Sequence, residues 1–188
     1  MVEFAGCVLT GGASTRMGRD KALLPYGGSA LAVRVAHVLT RAGAEPVVAV
    51  GGDLEGLRAV GLTAVPDPRQ GAGPLAGIAT ALAQVGMADI VVVLACDLPE
   101  ASPIAVRAVV AALVAAPDAR AAVPVAGGRI QPLHGAWRRS ALPVVEAALA
   151  RGDGAVRFVL ESLGALTVPD LDPSWFANVN EPADLRPD

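Results

Sequence analysis

Apolar residues fall into two alternating patterns along this chain, namely short continuous runs and longer stretches in which they recur at helical spacing. The short runs predict buried strands, because a strand covered on both faces has no polar side. The predicted strands are Phe4–Leu9, Pro46–Val50, Leu62–Val65, Ile90–Cys96, Ala121–Val125, Ile130–Gly135 and Leu166–Val168. The predicted helices are one capped by Ser29 and ended by Gly43, then Leu54–Val60, Pro74–Val85, Ser102–Ala115, Arg138–Ala150, Ala155–Leu163 and a final turn after Pro182. Gly127-Gly128 is expected to join the fifth and sixth strands as a hairpin.

This alternation predicts an α/β fold in which helices cover both faces of a mostly parallel sheet. With 188 residues, no internal repeat and no linker, the chain is expected to form a single domain over residues 1–188. Ligands of such sheets bind outside the carboxyl ends of the strands. The loops Thr10–Lys21, Pro66–Gly73 and Asp97–Pro99 each follow a predicted strand, and we expect them to share one edge of the sheet.

Composition removes several classes of protein. Apolar residues make up 53% of the chain and charged residues 18%, which is the wrong balance for a disordered protein. The net charge is −3 and no basic stripe is present, which argues against nucleic-acid binding. Mean hydropathy is +0.51, but the apolar runs are too short to span a membrane and no signal peptide is recognisable, so a cytoplasmic protein is expected. Cys7 and Cys96 are expected to be buried, reduced thiols.

The loop after the first strand is the strongest candidate for chemistry. It contains Gly11, Gly12 and Gly18 together with Arg16 and Lys21. Glycines let backbone N–H groups approach a phosphate closely, and the two cations add positive charge. The spacing fits neither a Walker P-loop nor a G-x-G-x-x-G dinucleotide loop. We interpret the segment as an anion-binding loop, the alternative being a glycine-rich turn with solvated cations.

Three further side chains are candidates. Asp97 follows the clearest buried strand, and a carboxylate beside bound phosphate is a natural Mg²⁺ ligand, although a turn or capping role is an equal alternative. Asp67 precedes a glycine-rich helix start, where it either accepts hydrogen bonds from a base or ribose or closes the turn before Pro68. For His134, close to Trp137, a structural role is favoured over a contact with substrate.

Five segments of the chain, taken together, carry a family resemblance. They read LTGGASTRMGRDKALL, VPDPRQGAGPLAGI, VVVLACDLP, QPLHGAW and FANVNEPADL, and the resemblance around them runs from about Cys7 to Leu185. In this order they resemble the molybdenum cofactor guanylyltransferases, MobA. The resemblance implies a Rossmann-like three-layer α/β/α nucleotidyltransferase fold. It also implies transfer of GMP from GTP to the terminal phosphate of molybdopterin or molybdenum-molybdopterin, with release of pyrophosphate.

The resemblance implies roles for individual residues and a requirement for Mg²⁺. Lys21, assisted by Arg16, would contact the GTP phosphates, and Asp97 would bind them through Mg²⁺. The remaining implied contacts are Leu9, Thr10, Gly11 and Gly12 lining the nucleotide pocket, Asp67 on the guanosine, and Gln131, Asn178 and Asn180 toward the pterin. Other proteins of molybdenum cofactor biosynthesis are implied as partners.

Three alternatives stay open at this point. A CTP-dependent molybdopterin cytidylyltransferase is disfavoured by Gly12 and by the Pro74–Gly77 segment, which follow the guanylyl form. A nucleotidyltransferase for another small phosphate is disfavoured by the Asn178-Val179-Asn180 ending. A nucleotide sensor without turnover is disfavoured because Lys21 and Asp97 are both present. One departure is Gly51-Gly52-Asp53, where the family often carries an asparagine that helps to bind the nucleotide.

Overall fold

The computed structural model describes residues 2–11 and 20–179. Its strands are β1 (Phe4–Leu9), β2 (Pro25–Tyr26), β3 (Ser29–Ala30), β4 (Val47–Val50), β5 (Ala64–Val65), β6 (Ile90–Ala95), β7 (Ala121–Ala126), β8 (Arg129–Ile130), β9 (His134–Arg138) and β10 (Leu166–Val168). Its helices are α1 (Leu31–Ala42), α2 (Leu54–Ala59), α3 (Pro74–Gln84), α4 (Pro103–Ala115), α5 (Leu142–Ala150) and α6 (Val156–Ser162). Short 3-10 turns cover Lys21–Leu23, Arg139–Ala141 and Pro173–Phe176.

The main sheet has the strand order β10-β7-β9-β6-β1-β4-β5, with β8 paired to β7. Strands β4, β1 and β6 run parallel, as do β4 with β5 and β10 with β7, whereas β9 is antiparallel to both β6 and β7. The register pairs Leu9 with both Val50 and Ala95, and Val50 with Val65. Four carboxyl ends therefore lie side by side, which confirms the expected edge.

Helices cover both faces of this sheet. On one face, Val35 and Leu39 of α1 and Val109 of α4 pack with Val8 and Leu94 of the sheet. On the other face, the apolar sides of α3, α5 and α6 pack against the alternate residues of the same strands, such as Cys7 and Val93. The predicted three-layer α/β/α arrangement is confirmed. No helix in the described part of the chain is long and apolar enough to cross a membrane.

One predicted strand in the β7–β9 region is wrong in its bounds. The hairpin at Gly127-Gly128 exists, but its second strand ends at Ile130 and a new strand begins at His134. Pro132 has no N–H to donate to a ladder, and a turn forms in which His134 N–H donates to the carbonyl of Gln131 at 3.1 Å. The predicted strand Ile130–Gly135 is therefore two strands, of which the first pairs with β7 alone and the second lies between β6 and β7.

Two predicted helix starts are also wrong. Arg138 belongs to β9, because it pairs with Ile90 of β6 and its N–H donates to the carbonyl of Arg120 at 2.8 Å. Its guanidinium also donates to the carbonyls of Ala119 at 3.0 Å and Leu113 at 2.9 Å. Helix α5 accordingly begins at Leu142. Ser29 lies in the small β2–β3 hairpin, and the residue at the cap position of α1 is Ala30, which makes no side-chain cap.

Candidate active site

The loops that follow β1 and β4 are bound tightly to each other. Thr10 Oγ1 lies 3.0 Å from the carbonyl oxygen of Val50 and 2.8 Å from that of Gly51, and shares its one proton between them. A Cβ on Gly51 would come within 3.0 Å of the Gly11 Cα, and the φ of Gly51 is +79°. Only a glycine fits this crossing without strain. The Thr10 hydroxyl is thus turned into the protein, while the backbone of Gly11 is exposed at the edge.

Leu9, which is expected to line the nucleotide pocket, has a buried side chain, and its contact with a nucleotide stays a prediction. It is buried and packs against α3, where a Cβ on Gly77 would lie 2.7 Å from Leu9 Cδ2. Its carbonyl accepts a hydrogen bond from Cys96 N–H at 3.1 Å, which joins the ends of β1 and β6. The Leu9 side chain therefore packs between the sheet and α3, beneath the carboxyl end of β1.

Lys21 and Asp97 meet at the edge of the sheet. Lys21 Nζ lies 2.9 Å from Asp97 Oδ2, and the two side chains are 15% and 23% exposed. The pair joins the loop after β1 to the loop after β6, which are 76 positions apart in sequence. One cation and one carboxylate, both partly open to solvent, are thus brought together where a parallel sheet binds its ligands.

The turn that carries Lys21 is capped by Asp20. Asp20 Oδ1 accepts a hydrogen bond from Ala22 N–H at 3.0 Å, and Asp20 Oδ2 accepts one from Asp53 N–H at 2.7 Å. Asp53 in turn caps α2, because its Oδ1 accepts from Gly56 N–H at 3.0 Å. Sequence reasoning did not single out Asp20. The available signal was its residue type, since aspartate is favoured directly before a helical turn.

The loop that carries Asp97 is held from the other side. Arg34 Nε donates to the carbonyl of Pro99 at 2.6 Å, and the Tyr26 hydroxyl donates to Glu100 Oε1 at 2.9 Å. Val179 N–H donates to the Asp97 carbonyl at 3.0 Å, so the chain that contains the exposed Asn178 passes directly beside this loop. The loop is therefore fixed by α1, by the β2–β3 hairpin and by the segment before residue 180.

Asp67 is 9% exposed and already engaged within the protein. Its Oδ1 accepts hydrogen bonds from Arg69 N–H at 3.0 Å and from Thr80 Oγ1 at 3.1 Å, which ties the loop after β5 to α3. It lies at the shared edge, near Gly51. The structure thus gives Asp67 the turn-closing role, and a contact with guanosine stays a prediction.

The other predicted contacts are more distant or lie outside the description. Gln131 sits in the turn between β8 and β9, and its amide donates to the Arg129 carbonyl at 3.4 Å within the same loop. Gly12, Arg16 and Asn180 lie outside the described residues.

His134 is a core residue, as favoured from the sequence. It has no exposed surface and packs edge-to-face on Phe176, with ring centroids 5.0 Å apart. Among the described residues, neither of its ring nitrogens has a hydrogen-bond partner. Burial lowers the pKa of His134 to about 3, so the imidazole is neutral at physiological pH.

The two cysteines are free and buried, as expected. Burial, followed by the negative charge of Asp97, raises the pKa of the Cys96 thiol to about 12. Burial also raises the pKa of Cys7 far above its usual range. Both thiols are therefore protonated, and neither is an activated nucleophile.

The site offers one carboxylate to a divalent cation. Asp97 is partly exposed at the edge, and Mg²⁺ is commonly bound by one or two carboxylates together with phosphate oxygens and waters. Among residues 2–11 and 20–179, no group of three or more histidine, cysteine or acidic side chains is arranged to hold a metal. The residues present fit an ion that a nucleotide would bring with it.

Comparison with known proteins identifies the family. Residues 6–167 match the MobA-like NTP transferase domain. The chain belongs to this family. A probable molybdenum cofactor guanylyltransferase of Pelotomaculum thermopropionicum is 36% identical, over 98% of this chain and 91% of that protein. A molybdenum cofactor guanylyltransferase of Rhodobacter capsulatus is 35% identical, over 98% and 94% of the two chains.

Solved structures of two differently named proteins share the fold of this chain. The molybdopterin-guanine dinucleotide biosynthesis protein A of Archaeoglobus fulgidus superposes with a TM-score of 0.75, at 24% identity, over 96% of this chain and 94% of that one. A CMP:2-keto-3-deoxy-manno-octonic acid synthetase complexed with CTP also reaches a TM-score of 0.75, at 16% identity, over the same shares. The Rossmann-like nucleotidyltransferase fold is therefore common to enzymes with different nucleotides, and the fold alone does not select the base.

Proposed function

We propose that this protein is a molybdenum cofactor guanylyltransferase, which transfers GMP from GTP to the terminal phosphate of molybdopterin, with or without bound molybdenum. The observation that carries the proposal is the Lys21–Asp97 pair at the carboxyl ends of β1 and β6. It stands in a chain that matches guanylyltransferases at 35–36% identity over 98% of its length. A cation able to bind phosphate and a carboxylate able to bind a metal ion, close together at one edge, are suited to joining two phosphates.

In the proposed reaction, a terminal phosphate oxygen of the acceptor forms a new bond to the α-phosphorus of GTP. The bond from that phosphorus to the bridging oxygen of the β-phosphate breaks, and pyrophosphate leaves with the electron pair. A phosphate monoester is already largely ionised near neutral pH, with a second pKa of about 6. No side chain is needed to remove a proton from it. The residues of this chain have to position two anions in line and offset their charge.

Lys21 would supply that charge on the nucleotide phosphates, and Arg16 would assist it. Asp97 would hold Mg²⁺, which when bound offsets negative charge on the transferred phosphate. In the structure the two side chains form an ion pair with 2.9 Å between Lys21 Nζ and Asp97 Oδ2. Binding therefore exchanges one ion pair for two, Lys21 with a phosphate and Asp97 with the cation.

The nucleoside and the acceptor would bind on opposite sides of this pair. For the guanosine we propose the exposed backbone at Gly11, the backbone of Leu9 and Thr10, Asp67, and Gly12. For the pterin we propose Gln131, Asn178 and Asn180. The passage of Asn178 beside the Asp97 loop supports the second assignment. Other proteins of cofactor biosynthesis as partners, one domain over residues 1–188, and a cytoplasmic location stay predictions from the sequence.

Guanylyl transfer from labelled GTP to molybdopterin tests the proposal, with CTP in a parallel reaction. We expect Lys21→Ala and Asp97→Ala to fold and to lose transfer by about 10²–10³-fold, the range for removal of one preorganised charge-stabilising group. Arg151→Ala is the matched control, because Arg151 is an exposed cation whose ion pair within the described residues is with its near neighbour Asp153. Full activity of either site variant contradicts the assignment, and transfer from CTP in place of GTP contradicts the guanylyl specificity.

A further inference from the structure

The Lys21 side chain depends on a short turn that has little structure of its own. The turn Lys21–Leu23 is a single 3-10 turn of three residues, which follows a glycine-rich segment. Lysine is a flexible side chain with a point charge and loses considerable rotamer freedom when it is fixed. A catalytic lysine in this place requires an anchor for its backbone outside the turn.

Asp20 contacts both the turn that carries Lys21 and the loop that follows β4. One carboxylate oxygen accepts from Ala22 N–H at 3.0 Å, inside the turn, and the other accepts from Asp53 N–H at 2.7 Å, in the loop after β4. Hydrogen bonds to an ionised carboxylate are stronger than those between neutral groups. The residue directly before Lys21 is thus attached to a neighbouring strand end 33 positions along the chain.

The loop after β4 is shaped to receive this carboxylate. Gly52 has a φ of +73°, and a Cβ there would lie 2.8 Å from Asp20 Oδ2 and 2.9 Å from the Thr10 carbonyl oxygen. A side chain at position 52 would therefore clash with the Asp20 carboxylate and with the backbone that follows β1. The Gly51-Gly52-Asp53 sequence, which departs from the family pattern, supplies the space and the N–H group that Asp20 uses.

We infer that Asp20 is a positioning residue for Lys21, acting by anchoring the lysine-bearing turn to the Gly52-Asp53 backbone. The inference rests on the proposed function, in which Lys21 contacts the phosphates of GTP. Asp20 itself touches no substrate in this account. The Asp20 carboxylate accepts hydrogen bonds from two backbone N–H groups. These groups partly offset its negative charge, which would otherwise repel an incoming phosphate.

Lys21 is the only lysine of the chain, and this permits a selective test. A sample labelled with [¹³C]lysine gives one Cε–Hε signal in an NMR spectrum, which reports the surroundings of Nζ. The urea-unfolded protein supplies the position of a released lysine. We expect Asp20→Ala to move the signal toward that position, and Asp20→Asn, which keeps one acceptor oxygen, to move it part of the way.

Asp53→Ala is the matched control. It removes the carboxylate that caps α2 but keeps the backbone N–H that Asp20 accepts from, so it disturbs the same loop without releasing the anchor. The Lys21 signal of this variant should stay at the wild-type position. A signal that stays unchanged in Asp20→Ala, or that moves equally in Asp53→Ala, overturns the inference.

Kinetics supply the second readout. A displacement of about 1 Å in a catalytic group can reduce turnover about 10²-fold, and we expect Asp20→Ala to lower kcat by about 10–10²-fold with a smaller effect on KM. In a Lys21→Ala background the same substitution should have no further effect, since it acts through the lysine. A full additional loss in that background refutes the inference while leaving the proposed function intact. Full activity of Lys21→Ala alone refutes the site assignment, and the NMR result still decides whether Asp20 holds the turn.

Discussion

His134 makes the stability of the protein depend on pH in a way that one substitution can remove. The ring is fully buried beside Phe176, and burial lowers its pKa to about 3. In the unfolded chain a histidine titrates near 6.5. Between about pH 3 and pH 6.5 the unfolded state therefore binds a proton that the folded state does not. The stability contributed by the neutral ring is complete above pH 6.5 and is lost as the pH falls.

The expected size follows from linkage. Below pH 6.5 the free energy of unfolding falls by up to about 1.4 kcal/mol for each unit of pH. Lowering the pH from 8 to 5 should therefore reduce it by about 2 kcal/mol through His134 alone. Carboxylates also titrate as the pH is lowered, but they do so equally in the wild type and in a variant at position 134, so their contribution cancels in the comparison. The difference between the wild type and His134→Leu isolates the imidazole. The lost ring contact with Phe176, about 0.5–1.5 kcal/mol, is the same at both pH values and drops out.

Urea unfolding followed by far-UV circular dichroism at pH 8 and pH 5 measures this difference. His134→Leu should lose about 2 kcal/mol less than the wild type over this range. His37→Gln, at an exposed position of α1, serves as the control and should behave like the wild type. If the wild type and His134→Leu lose equal stability between pH 8 and pH 5, then the ring is either protonated in the folded protein or hydrated, and the argument is refuted.

Three further predictions concern the edge of the sheet. Gly52→Ala places a Cβ 2.8 Å from Asp20 Oδ2 at a φ of +73°, and we expect a loss of about 1–3 kcal/mol in urea unfolding together with reduced guanylyl transfer; an unaltered variant would contradict the close fit. Thr80→Val removes the 3.1 Å hydrogen bond to the buried Asp67 and should reduce stability by about 1–3 kcal/mol, whereas Thr80→Ser should retain most of it. Chelation of divalent cations by EDTA should abolish transfer without changing the melting temperature of the nucleotide-free protein, and excess Mg²⁺ should restore it; transfer that persists in EDTA would contradict a metal on Asp97.

The sequence predicted the strands that have continuous apolar residues better than it predicted the segments around them. Ile90–Ala95 lies where the pattern placed it, because all six residues are buried and burial on both faces leaves only one interpretation. Leu166–Val168 also lies where it was predicted, although Thr167 is exposed and its two neighbours are only partly buried. Ile130–Gly135 failed because an apolar run interrupted by Pro132 does not reveal that its two ends pair with different strands. Such pairing is a property of the tertiary fold, which local periodicity does not encode.

The candidate site shows the same division. Lys21 and Asp97 were identified by residue type and by their place after predicted strands, and the parallel register brings them into contact. Asp67 was placed at the correct edge, but its bond to Thr80 depends on how α3 packs, which no sequence pattern specifies. Asp20 was missed because its partner is a backbone N–H, and a backbone group leaves no mark in the sequence.

The reversed direction of β9 sets the layout of the whole edge. Because β9 runs opposite to both β6 and β7, the chain leaves those two strands at the same end of the sheet, with one strand between them. Asp67 after β5 and Gln131 beside β7 are consequently separated by four to five strand spacings, or roughly 20–24 Å. The Lys21–Asp97 pair lies between them, over β1 and β6. A substitution at Asp67 or at Gln131 can therefore change one end of this edge while leaving the other end, and the charged pair between them, as they are.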